Sequence, residues 1–172
     1  MRTPNPPHRL VVGLDGSDGS TYACHWCAAL ARSLHAEVVA VHAIEVPPYP
    51  LVVYEGGQPI RLDADLILQW QEDRRRLFES EWCAPLRHAG VEHRALMVDG
   101  DPAEAILSTA EEQHAGLIVV GRRGTGGLDE LLLGSVSRHL TEHSRRPVSV
   151  VPPDRVTAGA SRGQEEDAPA GR

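Results

Sequence analysis

The chain has 172 residues and a formal net charge of −7, enough length for one domain with a real core and the wrong sign for general attraction to nucleic acid. All seventeen basic residues are arginine. The lack of lysine excludes a Walker-type phosphate loop and a Schiff-base lysine. No apolar run is long enough to span a bilayer. The segment Met1 to His8 is proline-rich and lacks the apolar stretch of a secretion signal. Three cysteines do not make a disulfide framework at this length. The expectation is a cytoplasmic protein that engages neither membrane nor nucleic acid.

In chain order, Arg9 to Asp15 (RLVVGLD) predicts a short first strand, and Asp15-Gly16-Ser17-Asp18-Gly19-Ser20 the turn after it. Ser20 is the expected N-cap of a helix over 21–35, whose apolar stripe is Ala23, Cys27, Leu30 and Leu34. Glu37 to Glu45 (EVVAVHAIE) predicts a second strand, nearly continuous in apolar residues as in a parallel strand covered on both faces. Pro47 to Pro59 holds four prolines and the pair Gly56-Gly57, and reads as a long lid-like loop. A second helix is expected over 62–87, with Leu66, Trp70 and Leu77 on one face beside Ile67 and Phe78, and with Pro85 bending or ending it. Val91 to Val98, the most polar of the strands, is expected at a sheet edge. Asp101-Pro102-Ala103-Glu104 starts a third helix, with Glu104 able to complete a capping box and Gly116 the expected left-handed stop.

Leu117 to Val120 predicts a fourth, buried strand. Gly121-Arg122-Arg123-Gly124 follows it, then nine residues, then Gly134-Ser135 and a helix over Val136 to His143. Strand, glycine-rich loop and helix N-terminus together suit a phosphate, because glycine lets backbone approach an anion and the first helical N–H groups point at it. Arg145 and Arg146 suit the negative end of that helix, and Pro147 to Val151 is a fifth strand. Residues 1–8 and 153–172 lack apolar periodicity and are expected to be disordered, leaving one domain over 9–152.

Alternating strands and helices predict an α/β fold: a doubly wound, five-stranded parallel sheet in the order 3-2-1-4-5 with helices on both faces. Ligands in such sheets sit beyond the carboxyl ends of the strands where the order reverses. Strands one and four would then bring Asp15 and the glycine loop to one crevice.

At these residues the chain resembles the universal stress protein family, over about Arg9 to Val151. The segments are VVGLDGS (Val11 to Ser17), VHAIE (Val41 to Glu45), GRRG-x9-GSVS (Gly121 to Ser137) and RRPVSVVP (Arg145 to Pro152), in the family's order. The glycine spacing is that of the ATP-binding subgroup. The resemblance implies a site for ATP, or for ADP or AMP, with Mg2+ as companion to the phosphates. Asp15 would take a ribose hydroxyl, and Ala43 would offer its backbone to the adenine edge. Val120 and Gly121 would line the ribose, and Gly124 would let the loop fold over the phosphates. Gly134, Ser135, Val136 and Ser137 would hold those phosphates. Gly13 stands where many relatives carry proline or alanine, a change of turn stiffness more than of chemistry. Arg123 either pairs with a phosphate or points to solvent, and Arg122 is expected to be solvated. The resemblance further implies a homodimer, with the strand Pro147 to Val151 as the pairing edge.

Other motifs read as structure. Cys24-His25-Trp26-Cys27 has redox spacing but lies a turn inside its helix, where no N-terminal field lowers a thiol pKa, so packing is expected. His139-Leu140-Thr141-Glu142-His143 matches an inverted zinc-protease pattern, yet no third ligand is evident. Arg74-Arg75-Arg76, flanked by Glu72, Asp73 and Glu79, reads as a solvated charge run. No catalytic or metal-ligating set is assigned. Ser135 and Ser137 stand where phosphates could modify them, but Asp129 and Glu130 do not make a convincing general base. The functional expectation is an adenine-nucleotide-binding regulatory module of the stress response. The alternatives are a slow ATPase or self-phosphorylating protein, and a homodimeric scaffold whose nucleotide is structural.

Overall fold

A computed structural model describes residues 7–44, 52–55, 58–61, 64–124 and 133–153. The elements are β1 (Arg9–Gly13), α1 (Asp18–Leu34), β2 (Glu37–Ile44), β3 (Val52–Glu55), β4 (Gln58–Arg61) and α2 (Ala64–Leu77). A π-helical turn (Phe78–Trp82) continues into α3 (Ala84–His88), β5 (His93–Asp99), α4 (Pro102–Glu112), β6 (Leu117–Gly121), α5 (Ser135–His143) and β7 (Val148–Val151). Five of these strands form one parallel sheet in the order β5-β2-β1-β6-β7, which is 3-2-1-4-5 when that sheet's strands are numbered alone. Val11 in β1 faces Val39 of β2 on one side and Ile118 of β6 on the other. The chain order therefore reverses at β1 and β6.

Alternation along the strands splits the core into two layers. Leu10, Val12, Val38, Ala40 and Val119 pack with Cys24, Cys27, Ala31, Phe78 and Leu86 on the α1 and α3 face. Val11, Val39, Val41, Ile118 and Val120 pack with Ile106, Ala110 and Leu140 on the α4 and α5 face. Both faces are thus covered, which is why these strands tolerate almost no polar residue. Among the described residues the polar strand β5 pairs only with β2 and lies at the edge, as its composition predicts.

Several local expectations are corrected. Helix α1 is capped by Ser17, whose hydroxyl accepts from Ser20 N–H at 3.2 Å, while Ser20 is buried and donates its own hydroxyl to the Ser17 carbonyl at 2.9 Å. Ser17 wins because the chain turns helical at Asp18, one turn earlier than the apolar stripe begins. The buried stripe of α1 runs through Ala23, Cys24, Cys27, Ala28 and Ala31, whereas Leu30 and Leu34 are half-buried against it. The span Pro47 to Pro59 contains most of a hairpin, β3 paired antiparallel with β4, so it is not simply loop. Its prolines mask the β-forming run Val52-Val53-Tyr54.

The expected helix over 62–87 is broken. Leu66 and Trp70 are 57% and 47% exposed, while Phe78, Cys83 and Leu86 are buried. The π turn between them shifts the helical phase, so the apolar face read over 66–77 does not continue into the core-facing residues beyond it. Pro85 sits in the first turn of α3, where a missing N–H costs no hydrogen bond. Helix α4 ends at Glu112, and His114 (φ 52°), not Gly116, takes the left-handed conformation. Gly116 instead abuts Pro7, whose Cβ would lie 2.5 Å from a Cβ placed there. The terminal expectations for 1–6 and 154–172, and those for Asp129 and Glu130, lie outside the described residues.

Candidate functional site

Where β1 ends, Leu14 N–H is still held by the Val41 carbonyl at 2.9 Å, and the chain then turns through Asp15 and Gly16. Gly16 has φ +82°, a left-handed conformation that favours glycine. The Asp15 carboxylate accepts from Ser17 N–H at 3.0 Å and from the Ser17 hydroxyl at 2.6 Å, both through Oδ1. Its other oxygen, Oδ2, lies against Gly124, so close that a Cβ on Gly124 would collide with it. The early turn and the late glycine loop therefore touch.

Further contacts lock the two segments together. A Cβ on Gly121 would lie 2.7 Å from the Gly19 carbonyl carbon, and one on Gly19 would lie 2.6 Å from the Arg123 carbonyl oxygen. Gly134 N–H donates to the Arg122 carbonyl at 2.9 Å and so returns the loop to its start. Ser137 is buried and donates its hydroxyl to the Gly121 carbonyl at 2.7 Å. Helix α5 begins after Gly134 with no side-chain cap, leaving first-turn N–H groups for another acceptor.

These elements enclose a cavity of about 650 Å³. All eleven residues singled out in the sequence line it: Gly13, Asp15, Ala43, Val120, Gly121, Arg123, Gly124, Gly134, Ser135, Val136 and Ser137. Leu14, Val41, His42, Pro102, Ile106 and Leu133 line it too. One wall is apolar, from Val41, Ile106 and Val120. The lining also includes the α5 N-terminus from Gly134 to Ser137, Arg123, and Asp15, whose carboxylate lies against Gly124. A flat apolar group, a hydroxylated middle and an anionic end would each meet matching chemistry.

Gly13 has a role beyond turn stiffness. A Cβ there would lie 2.6 Å from Ile106 Cδ1 and 3.2 Å from Val120 Cγ1, so its absence admits Ile106 over the end of β1. Pro102 and Ile106 were missed because the Asp101 cap reads as a purely structural helix start. A helix that follows β5 nevertheless begins at the same carboxyl edge of the sheet as the site. His42 was missed because it sits within an apolar strand. It is buried, and its Nδ1–H donates to the Leu14 carbonyl at 2.8 Å. Burial holds the imidazole below its ordinary pKa and the nearby Arg74 charge adds to that, against the opposing pull of the Leu14 carbonyl and Asp15.

The remaining motifs divide. Cys24 and Cys27 are fully buried, and burial raises the Cys24 thiol to about 12 and the Cys27 thiol further. His139 Nε2 lies 3.0 Å from Glu104 Oε1, and the His139 and His143 rings stack at 4.2 Å. Glu104 thus bridges to α5, where the sequence offered it to a capping box. Among the described residues no group of three or more His, Cys, Asp or Glu side chains is placed to hold a metal. The arginine run is only partly a solvated face. Arg75 and Arg76 pair loosely with Glu72 and Asp73 at 4.0 and 3.7 Å, but Arg74 lies over the rings of Trp70 and Trp82 at 5.6 and 5.3 Å.

Sheet order and crevice together define a doubly wound α/β protein with a ligand-sized cavity at the point of strand reversal. The universal stress protein family matches residues 7–152, and the chain belongs to that family. A universal stress protein of Methanocaldococcus jannaschii is 32% identical over 145 residues, covering 83% of this chain and 81% of the relative. The universal stress protein YxiE of Bacillus subtilis is 30% identical over 149 residues, covering 84% and 98%. Among solved structures, a universal stress protein in complex with cAMP has a TM-score of 0.67 at 24% identity, covering 87% of this chain and 99% of that one. An AMP-bound family member from Arabidopsis thaliana has a TM-score of 0.62 at 16% identity, covering 90% and 97%. No helix among the described residues is long and apolar enough to cross a membrane.

Proposed function

We propose that the cavity binds an adenine nucleotide, with ATP the foremost candidate over ADP and AMP, and that the protein is a cytoplasmic, nucleotide-binding regulatory module of the stress response. One observation carries this reading: Asp15 and the glycine loop, more than a hundred residues apart in sequence, meet on one cavity beside the uncapped start of α5. In this reading Asp15 takes a ribose hydroxyl through Oδ2 and the Ala43 backbone meets the adenine edge. Val120 and Gly121 flank the sugar. Gly124, Gly134, Ser135 and Val136 hold phosphates through backbone N–H groups, with Arg123 and Mg2+ balancing their charge. Ser137 acts differently from these four, since its hydroxyl is already donated to Gly121 and shapes the loop. The cAMP and AMP complexes of structural neighbours support a purine ligand at this kind of fold.

Binding is favoured over hydrolysis. Ser135 is exposed and lines the cavity, so it is the one hydroxyl of the pair placed for modification. Homodimerisation through β7 belongs to the same reading, because β7 pairs only with β6 among the described residues and ends the sheet. Sedimentation with and without ATP tests that part, and a monomer in both conditions removes it. Mass analysis of nucleotide released from freshly purified protein, followed by calorimetry with ATP, ADP, AMP and cAMP, tests the ligand. Adenine nucleotide recovered in near-stoichiometric amount is the expected outcome. No nucleotide on purification and no heat with any of the four contradicts the proposal.

A further inference from the structure

The π-helical turn Phe78–Trp82 takes no part in the site described so far, yet it aims two aromatic rings at it. Phe78 lies 5.6 Å from the His42 ring, and the Trp82 indole meets the same imidazole edge-on at 4.8 Å. The indole also covers Gly16, where a Cβ would lie 2.7 Å from Trp82 Cε2. His42 in turn holds the Leu14 carbonyl at 2.8 Å. The turn Leu14-Asp15-Gly16 is thus gripped on both sides of Asp15, by imidazole before it and by indole after it. Trp82 is itself fixed from behind. Arg74 lies over its ring at 5.3 Å, and Cys24 Sγ donates to its carbonyl at 3.4 Å. Among the described residues the buried Arg74 Nε has no hydrogen-bond partner, and the guanidinium lies over both the Trp70 and the Trp82 rings.

We infer that Trp82 is a positioning residue for Asp15, fixing the carboxylate against the sugar of the bound nucleotide. The inference rests on the adenine-nucleotide reading for the identity of the ligand, and on the geometry above for the clamp. A glycine at positive φ leaves its turn free to sample many conformations once unpacked, and binding would then have to order it. An indole seated on that glycine removes the freedom before ligand arrives. π-Helical turns recur at functional sites, and here the turn is what directs Phe78 and Trp82 together toward His42.

The test uses full-length Trp82→Leu and Trp82→Phe, calorimetry with ATP and with 2′,3′-dideoxy-ATP, and amide hydrogen exchange at Ser17 without ligand. Trp82→Leu is expected to weaken ATP at least tenfold and 2′,3′-dideoxy-ATP less than threefold, because only ATP offers the hydroxyls that Asp15 addresses. Ser17 exchange should rise at least tenfold while Val11 and Val119 amides stay protected. Trp82→Phe, a shorter ring, should give a two- to fivefold loss for ATP and a smaller rise at Ser17, and it serves if the leucine variant does not fold. Equal losses for both nucleotides, or unchanged affinity with unchanged Ser17 exchange, overturn the inference. Wild-type protein that binds neither nucleotide refutes the ligand reading alone, since Ser17 exchange still decides whether Trp82 holds the turn.

Discussion

At the scale of single residues, the glycines of the site act by what their missing Cβ atoms admit. Gly124 accepts the Asp15 carboxylate against its Cα, so Gly124→Val must drive that carboxylate away. The expected result is a loss of ATP affinity of about 30-fold or more, roughly 2 kcal/mol, with a far smaller change in Tm. Equal affinity in calorimetry would remove the loop from the site. At Gly13 the obstacle is the mobile end of Ile106, so Gly13→Ala should cost about 1–2 kcal/mol by chemical denaturation and leave the fold intact. The three thiols make a complementary case. Burial raises Cys24 to about 12 and Cys83 to about 11, and all three side chains are at most 1% exposed. A thiol reagent at pH 8 should therefore modify the native protein orders of magnitude more slowly than the unfolded chain.

Elements are where sequence and structure part company most, and the reasons are local. Strands β1, β2 and β6 were legible because burial on both faces forces nearly continuous apolar runs, while the half-buried edge strand β7 was legible from its valines after Pro147. The helix before β5 was not. Its apolar residues keep a 3.6-residue period through Leu66 and Trp70, but the π turn breaks phase before the core is reached, and no propensity scale marks a π turn. The stop of α4 failed for a different reason: His114 adopts the left-handed conformation that glycine was expected to supply two residues later. The start of α4 is better determined. Asp101 accepts from the N–H groups of Ala103 and Glu104 at 2.9 and 3.1 Å, so Asp101→Ala should cost about 1 kcal/mol in thermal or urea unfolding. Because α4 contributes Pro102 and Ile106 to the cavity wall, the same variant should lower nucleotide affinity slightly, well short of the Gly124→Val effect.

Across the whole molecule, the site is a consequence of strand order. The sequence brings Asp15 and Gly121 to one crevice only if β1 and β6 are neighbours, and that pairing is what the alternating pattern and the two motifs jointly imply. What the pattern does not contain is the second layer of support: His42 beneath Leu14, Ile106 over Gly13, and Trp82 on Gly16 all depend on side chains from other elements meeting in space. Buried His42 also gives the fold a pH dependence. Its folded pKa lies below the ordinary 6.5, so the unfolded chain takes up the proton first. This contribution is complete above about pH 6.5 and fades as pH falls from there toward the folded value. Glu37 adds a second, more acidic step. Burial alone would raise its carboxyl, but hydrogen bonds from Arg9 and Arg94 outweigh that and lower it below 4.5. That contribution is present above pH 4.5 and is lost as pH falls through the folded value. Unfolding midpoints in urea should therefore drop between pH 7 and 5.5 in wild type and drop less in His42→Gln.

The claim beneath all of this is that one nucleotide touches the early turn and the late loop together. Backbone amide NMR during titration with ATP and Mg2+ tests it most directly. Saturable shifts at Asp15, Ala43, Gly121, Gly124 and Ser135 that share one binding curve are the predicted result. Shifts confined to one of the two segments, or centred elsewhere on the sheet, would contradict it.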